Sequence, residues 1–267
     1  MKAALALAFL CPWFSSVRNG PPTAQLLSAG EQPKNAHPFV VERWTSVAPP
    51  KAAFTLKSGS SSVGVEDHPI DFVGRARLHE LVPEHELSPG TWTVEWSADK
   101  ASDRFTFVVV DETDAAPPVL EATSARSIDN PPDPKCDLWQ AWRSASIPAA
   151  KDEFASVYLV WRADDDGLVD LALPPTLAVS GGGKDVDLGP VGDEWIGVAA
   201  IDAAGRRTAP RELPIGTPRS DPRTRPLRLV TKHVSTWIVE HPWESGGALF
   251  AILVIVSAGF HRSKKRA

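Results

Sequence analysis

The residues that could bind a metal ion lie in two turn-like segments of the chain. His79 and His85 flank a turn that contains proline, and Asp164 and Asp166 belong to an acidic run that ends in glycine. Imidazole nitrogens suit zinc, whereas carboxylate oxygens suit calcium. These four residues are the weak metal-ligand candidates. A pair of solvated histidines and an ordinary hairpin turn explain the same patterns and are favoured.

The spacing around these candidates completes no metal or phosphate motif. His79-Glu80 begins a zinc-protease pattern, but Pro83 stands where its second histidine is required. With Gly167 at the glycine of a calcium loop, Leu173 falls where the closing glutamate is required. The glycines of 180–184 lack the spacing of a phosphate-binding loop. We therefore predict a non-enzymatic protein with no catalytic residue, no resident metal and no cofactor.

The elements that position these residues have the alternation of β-strands. Thr91–Ser97 places Trp92 and Trp96 on one face and polar residues on the other. A second strand is predicted at Arg104–Val110, after a polar turn over Asp99–Asp103. Two such strands form a hairpin, and several at this spacing form a β-sandwich.

Two segments of the first half resemble bacterial Ig-like domains. Gln32–Val41 resembles their opening strand, "P-x-N-A-x-hydrophobic". Leu81-Val82-Pro83 and Leu87–Val94 resemble their hairpin, "L-x-P … L-x-P-G-T-x-Y-x-V", with Trp92 at the aromatic core position. The resemblance implies an Ig-like sandwich over residues 24–112. A similar hairpin occurs in periplasmic copper-resistance carriers, but these use histidine and methionine ligands and this chain has no methionine beyond the first, so copper binding is not expected.

A segment of the second half resembles fibronectin type III-like domains. Glu194–Gly205 and Thr208–Pro210 are similar to their penultimate strand and exit turn, "V-x-A-x-D-x-A-G-N-x-S". The resemblance implies that Gly205 adopts a positive φ before a last strand at Arg211–Ile215. Arg206 stands where the family usually has asparagine. A second sandwich over 137–216 is therefore expected.

The carboxyl end has the pattern of a membrane anchor. An uncharged apolar run, 248–260, precedes a basic tail, and a helix over 242–261 would rise about 30 Å, the thickness of a bilayer core. The predicted anchor residues are a tryptophan suited to the headgroup layer, two small residues and four tail cations: Trp243, Gly246, Gly247, Arg262, Lys264, Lys265 and Arg266. The tail also resembles the tripartite C-terminal sorting signals of Gram-negative surface proteins. A plain single-pass anchor fits the same residues and is favoured.

The amino end, 1–20, has one lysine and about a dozen apolar residues, which is typical of a secretory signal peptide. Once it is removed, Cys136 is the only cysteine, so an intrachain disulfide is not expected. The whole chain carries −5, and the ectodomain is more acidic because the tail holds four of the cations. An acidic surface repels phosphate backbones, so nucleic acid is not an expected partner.

These observations predict an all-β protein with two Ig-like or fibronectin III-like sandwiches in tandem and one C-terminal transmembrane helix. The predicted segments are a signal peptide (1–20), an Ig-like sandwich (24–112), a linker (113–136), a fibronectin III-like sandwich (137–216), a stalk (217–241), the membrane helix (242–261) and a cytoplasmic tail (262–267).

The expected location is the cell envelope, with a periplasmic or extracellular ectodomain. The expected partners are membrane lipid, through the C-terminal helix, and an envelope protein or glycan. The expected role is adhesion, binding or spacing without catalysis. Two alternatives stay open: a periplasmic ligand- or metal-handling protein that uses the loop His and Asp residues, and a subunit of an envelope assembly.

Overall fold

The structure, a computed structural model, describes residues 21–28, 30–130, 142–163, 168–181, 185–189 and 195–216. The regular elements within these residues are all β-strands, which confirms the all-β prediction for this part of the chain. A search of the described residues finds no helix with the length and apolarity needed to span a membrane. The predicted signal peptide, stalk, membrane helix and basic tail, with all the anchor residues, lie outside the described residues.

The first sandwich has nine strands, four in sheet I and five in sheet II. Sheet I has the order β1-β3-β7-β6 and sheet II the order β2-β9-β8-β4-β5. Strand β2 pairs in parallel with β9, and the other pairs are antiparallel. This division of strands is that of an Ig-like sandwich, as the sequence predicted. The bounds are β1 (Thr23–Leu26), β2 (Glu31–Gln32), β3 (Phe39–Arg43), β4 (Ala52–Ser58), β5 (Ser61–Val63), β6 (Val65–Asp71), β7 (Ala76–Pro83), β8 (Gly90–Ala98) and β9 (Ala101–Val109).

The core between sheets I and II contains the residues that alternate along β8. Trp92, Val94 and Trp96 are all buried, which confirms the predicted strand face. The indole Nε1 of Trp92 donates to the carbonyl oxygen of Ser88 at 2.8 Å and so closes the corner that leads into β8. In Ig domains a tyrosine hydroxyl makes the equivalent bond at this corner.

The β8–β9 hairpin is tighter than the sequence predicted. The expected turn over Asp99–Asp103 is wrong, because Ala98 already pairs with Ala101 and the register continues through Trp96 and Asp103. The connection is a two-residue loop in which Asp99 has a φ of 51°. Aspartate accepts this left-handed conformation better than most residues, and such loops match the twist of paired strands.

The second sandwich divides seven strands between sheet III, with the order β10-β11-β14, and sheet IV, with the order β13-β12-β15-β16. Strand β10 lies within the segment that was predicted as linker, 113–136, and pairs antiparallel with β11. The core between these sheets includes Tyr158, Ile196 and Val186. The bounds are β10 (Arg126–Asn130), β11 (Trp142–Ser146), β12 (Val157–Arg162), β13 (Leu177–Ser180), β14 (Asp185–Gly189), β15 (Trp195–Ile201) and β16 (Arg211–Pro214).

A third apolar core joins the two sandwiches face to face. Sheet I contributes Phe39, Val41 and Leu78, and sheet IV contributes alternate residues of β12 and β15. Four sheets are therefore stacked in the order II, I, IV and III, with an apolar core in each of the three spaces. The described part of the chain belongs to a single compact unit.

The apolar composition of β12 follows from its place between two cores. Leu159 and Trp161 face sheet I, whereas Tyr158 and Val160 face sheet III. A strand buried on both faces needs an unbroken apolar run rather than an alternating one. Burial of each large apolar side chain contributes about 1.5–3 kcal/mol. A large apolar interface of this kind opposes relative motion of the two bodies.

Truncation of a residue in the third core tests this packing. We expect Leu159→Ala to lower the free energy of unfolding by about 2–5 kcal/mol, since Leu159 is only 5% exposed and its loss leaves a cavity. Leu173→Ala is the matched control, because Leu173 is 54% exposed. It should cost less than about 1 kcal/mol in the same denaturant titration. Equal effects of the two substitutions would contradict the shared core.

Candidate functional site: the charged edge of the sandwich junction

The exit turn after β15 brings the second sandwich against the first. The Asp202 carboxylate shapes this turn, since its Oδ1 accepts the backbone N–H groups of Ala204 at 3.0 Å and Arg206 at 2.8 Å. Gly205 has a φ of 82°, as predicted. The backbone N–H of His37 donates to the carbonyl oxygen of Ala203 at 2.7 Å. The turn is thus bonded directly to the first sandwich.

Glu80 forms a buried ion-pair set at this edge. It lies on β7 and is 5% exposed. Its Oε1 is 2.9 Å from Nδ1 of His37, and its Oε2 accepts a hydrogen bond from the guanidinium of Arg207. Burial opposes ionisation, but the bond to His37 and the charge of Arg207 outweigh it and lower the pKa of Glu80. A buried carboxylate held by one side chain from each sandwich is a structural group that joins the two sandwiches.

Three aspartates gather beside this set, and we call Asp114, Asp152 and Asp202 the aspartate cluster. One ligand atom from each lies within 4.8 Å of the others. Asp114 and Asp202 are buried and Asp152 is half-buried. Arg206 spans two of them, with Nε 2.6 Å from Asp202 Oδ2 and a second bond to Asp114 Oδ1. The cluster joins the inter-sandwich connection, which carries Asp114, to two loops of the second sandwich.

The charge of the cluster is not balanced. Burial and then the charges of Asp202 and Asp152 raise the pKa of Asp114, and the bond and charge of Arg206 only partly oppose this. The side chain of Asn35, in the first sandwich, makes two hydrogen bonds to the Asp114 backbone. Its Nδ2 donates to the Asp114 carbonyl oxygen at 2.9 Å, and its Oδ1 accepts the Asp114 N–H at 3.0 Å. The carboxylate is therefore held in a fixed place despite the repulsion. Three close carboxylates of this kind are able to hold a hard cation.

His79 and His85, the predicted candidates, have different environments. His79 is 1% exposed, so the favoured expectation of a solvated histidine is wrong for this residue, whereas His85 is exposed. The Nδ1 atom of His79 lies 2.9 Å from Asp67 Oδ2, and its Nε2 lies 3.4 Å from Glu42 Oε2. Glu42 also accepts the indole N–H of Trp96 at 2.9 Å. Both ring nitrogens of His79 thus face carboxylates of sheet I, that of the buried Glu42 and that of Asp67 on the edge strand β6.

The pKa of His79 is raised. Burial alone lowers it, but hydrogen bonds to Asp67 and Glu42 and the charges of these two groups outweigh burial. The tilted ring of Phe54, with a centroid 4.7 Å from that of His79, covers it from sheet II. This His79 network joins three strands of sheet I, and the bond from Trp96 to Glu42 and the contact with Phe54 connect it to sheet II. The other two candidates, Asp164 and Asp166, lie outside the described residues.

No sequence pattern predicts the aspartate cluster, although Asp202 and its partner Arg206 stand in the exit-turn pattern. Asp202 occupies the aspartate position of the exit-turn pattern, which indicates a turn rather than a charged site. Arg206 replaces the usual asparagine of that pattern, and this departure supplies the guanidinium that holds Asp114. Asp114 itself is one acidic residue in an acidic segment, and no local pattern separates it from its neighbours.

A shallow polar groove of about 490 Å³ lies on the outer face of sheet II. Hydroxyl groups line it, including those of Thr55, Ser97 and Ser102. Glu95 lies between two cations on this face, 2.7 Å from the Lys57 ammonium and 3.1 Å from the Arg104 guanidinium. The hydrogen bond from Lys57 lowers the pKa of Glu95.

Comparison with known proteins gives structural likeness only. No family model and no curated protein matches the chain. A chimeric titin Z1Z2–Z1Z2 tandem carrying a fibronectin GRGDS peptide is 13% identical, over 74% of this chain and 100% of that one, with a TM-score of 0.21. The titin Ig tandem A164–A165 is 7% identical, over 73% and 95%, with a TM-score of 0.22. The full Ig1–Ig3 ectodomain of mouse nectin-like molecule 4 is 12% identical, over 75% and 65%, with a TM-score of 0.21.

At such low scores we base the Ig-like fold on the order of strands in sheets I and II.

The His79 network predicts a pH-dependent stability. Because the folded-state pKa of His79 is raised, its stabilisation is fully present below about pH 6.5 and is lost as the pH rises through the folded-state pKa. We expect the free-energy difference between the native chain and His79→Gln to be larger at about pH 6 than at about pH 9, measured by urea unfolding. The exposed His85→Gln should change stability by less than about 0.5 kcal/mol at either pH. A His79→Gln difference that grows with pH would contradict this network.

The close approach of the exit turn to the first sandwich predicts an unusual cost for Gly205→Ala. A Cβ at Gly205 would lie 2.2 Å from Glu80 Oε1 and 2.4 Å from His37 Nδ1. Gly59 is the control, since it has a φ of 57° but no atom within 4 Å of such a Cβ. Both substitutions should cost about 1–2 kcal/mol for the left-handed backbone. Gly205→Ala should cost at least about 1 kcal/mol more, and equal losses of unfolding free energy would refute the contact.

Proposed function

We propose that the chain is a membrane-anchored, non-catalytic envelope protein whose two sandwiches act as one stiff spacer that carries a binding face. The observation that carries this proposal is the third apolar core between sheets I and IV. A stiff spacer needs its domains to resist bending against each other, and a large apolar interface gives that resistance. In this proposal the second sandwich is fibronectin III-like and the first is the Ig-like presenting body.

The use of the charged side chains supports a structural role. Glu80 joins the two sandwiches through His37 and Arg207. His79, Asp67 and Glu42 join three strands of sheet I, and the hydrogen bond from the Trp96 indole to Glu42 connects them to sheet II. Both carboxylate oxygens of Glu80 and both ring nitrogens of His79 have protein partners. Ionisable groups arranged in this way stabilise one arrangement of the layers rather than act on a substrate.

The proposed anchor is supported by the sequence of the carboxyl end. An apolar run over 248–260 followed by four cations matches a helix that stops with its basic end in the cytoplasm. The proposed location is therefore the cell envelope, with membrane lipid as a partner and the sandwiches outside the cytosol. An envelope protein or glycan would meet the polar groove on the outer face of sheet II, where hydroxyls and the Lys57–Glu95–Arg104 charges are available.

Distance measurement between two spin labels in lipid vesicles tests the proposal. The labels are placed at Ser61→Cys in the first sandwich and Glu153→Cys in the second, both exposed sites, with Cys11 and Cys136 replaced by serine. We expect the full chain to float with the vesicles and to give a single narrow distance distribution. The reason is that the third core fixes the two bodies while the apolar tail holds the lipid.

The control is the same doubly labelled chain with Leu159→Asp, which puts an unpaired charge into the third core. We expect its distance distribution to broaden while it still floats with vesicles. A chain ended after residue 241 should stay in the aqueous phase. A broad distribution for the native sequence contradicts the stiff spacer, and flotation of the shortened chain contradicts the proposed anchor.

A further inference from the structure

The aspartate cluster contains a buried oxygen atom without a partner. Asp114 Oδ2 makes no hydrogen bond with any residue that the structure describes, and Asp114 is only 1% exposed. Leaving a buried charged acceptor unsatisfied is costly, and native proteins place a partner, a water or an ion at such atoms. Asp114 Oδ1, by contrast, accepts a bond from Arg206. One half of the carboxylate is therefore satisfied and the other half is not.

The spacing of the three carboxylates suits one particular cation. Calcium binds carboxylate oxygens at about 2.4 Å, so two oxygens on one calcium ion lie at most about 4.8 Å apart. The three ligand atoms of Asp114, Asp152 and Asp202 meet this limit pairwise. Calcium also accepts irregular ligand arrangements and completes its shell with water, whereas magnesium requires a near-ideal octahedron at shorter distances.

The charge of the cluster also favours a divalent cation. Three carboxylates face one guanidinium, that of Arg206, which bonds to Asp202 and Asp114 and to neither oxygen of Asp152. The remaining negative charge matches a divalent cation. About a third of the Arg206 side chain is exposed, so its guanidinium can turn towards solvent when the cation takes over the charge of Asp114.

We propose that the aspartate cluster is a calcium site that fastens the inter-sandwich connection to the second sandwich. Asp114, whose Oδ2 has no hydrogen-bond partner, supplies a carboxylate oxygen from the connection, and Asp152 and Asp202 supply oxygens from the loops before β12 and after β15. Because Asn35 is hydrogen-bonded to the Asp114 backbone, fixing Asp114 also fixes the connection relative to the first sandwich. Calcium binding therefore stiffens the junction. None of the three aspartates belongs to the proposed membrane anchor, so the calcium proposal can be tested independently of the proposed location.

The test uses the full chain in detergent, stripped with a chelator and then titrated with calcium chloride at constant ionic strength. We expect about 5 mM calcium to raise the melting temperature, followed by tryptophan fluorescence, by about 3–5 °C. Calorimetry should find one site per chain. Magnesium should give less than half of this shift. An unchanged melting temperature, or equal shifts with calcium and magnesium, would overturn the proposal.

Two variants and one control assign the effect to the cluster. Asp152→Asn keeps an oxygen for Ser156 but removes a charge, and it should lose most of the calcium shift. Asp114→Asn should raise the melting temperature without calcium, because it relieves the repulsion, and should abolish the response to calcium. The exposed Glu121→Gln should respond like the native chain. A full calcium shift in Asp152→Asn, or no effect of Asp114→Asn in either condition, would show that the cluster holds no cation.

Discussion

Packing of sheet I on sheet IV is the contact on which the rest of this structure depends. Each of these sheets is covered on both faces, so every polar side chain that points between them must find a partner inside the protein. Glu80 points into this space, where His37 of the first sandwich and Arg207 of the second hold it. The apolar interface supplies the stabilisation, and the ion pair specifies one lateral arrangement of the two sheets.

The edge of this interface explains the detailed shape of the exit turn. Position 205 requires glycine for two reasons. Its backbone is left-handed, and side chains of the first sandwich leave no room for a Cβ atom. Asp202 holds the turn from within, and Arg206 extends from the turn to Asp114 on the connection. Local backbone geometry, ion pairing and the arrangement of the sandwiches are therefore determined together at a few residues.

The sequence predicted the elements well and their assembly poorly, for physical reasons. Alternation along β8 identified the buried face of Trp92, Val94 and Trp96, because that strand has one core and one solvent face. The unbroken apolar runs of β12 and β15 also indicate burial on both faces, but they do not tell which surface covers the second face. Contacts such as that of Glu80 with Arg207 join residues far apart in the chain, so no local pattern contains them. The same is true of the aspartate cluster and of the burial of His79.

Native-state hydrogen exchange across a range of denaturant concentrations tests the central claim most directly. If the two sandwiches share a core, the amides of β3, β7, β12 and β15 should exchange through one common opening, with the same free energy and the same dependence on denaturant. Two separate openings, with β3 and β7 exchanging while β12 and β15 stay protected, would contradict the account, because they would show that either sandwich unfolds without the other.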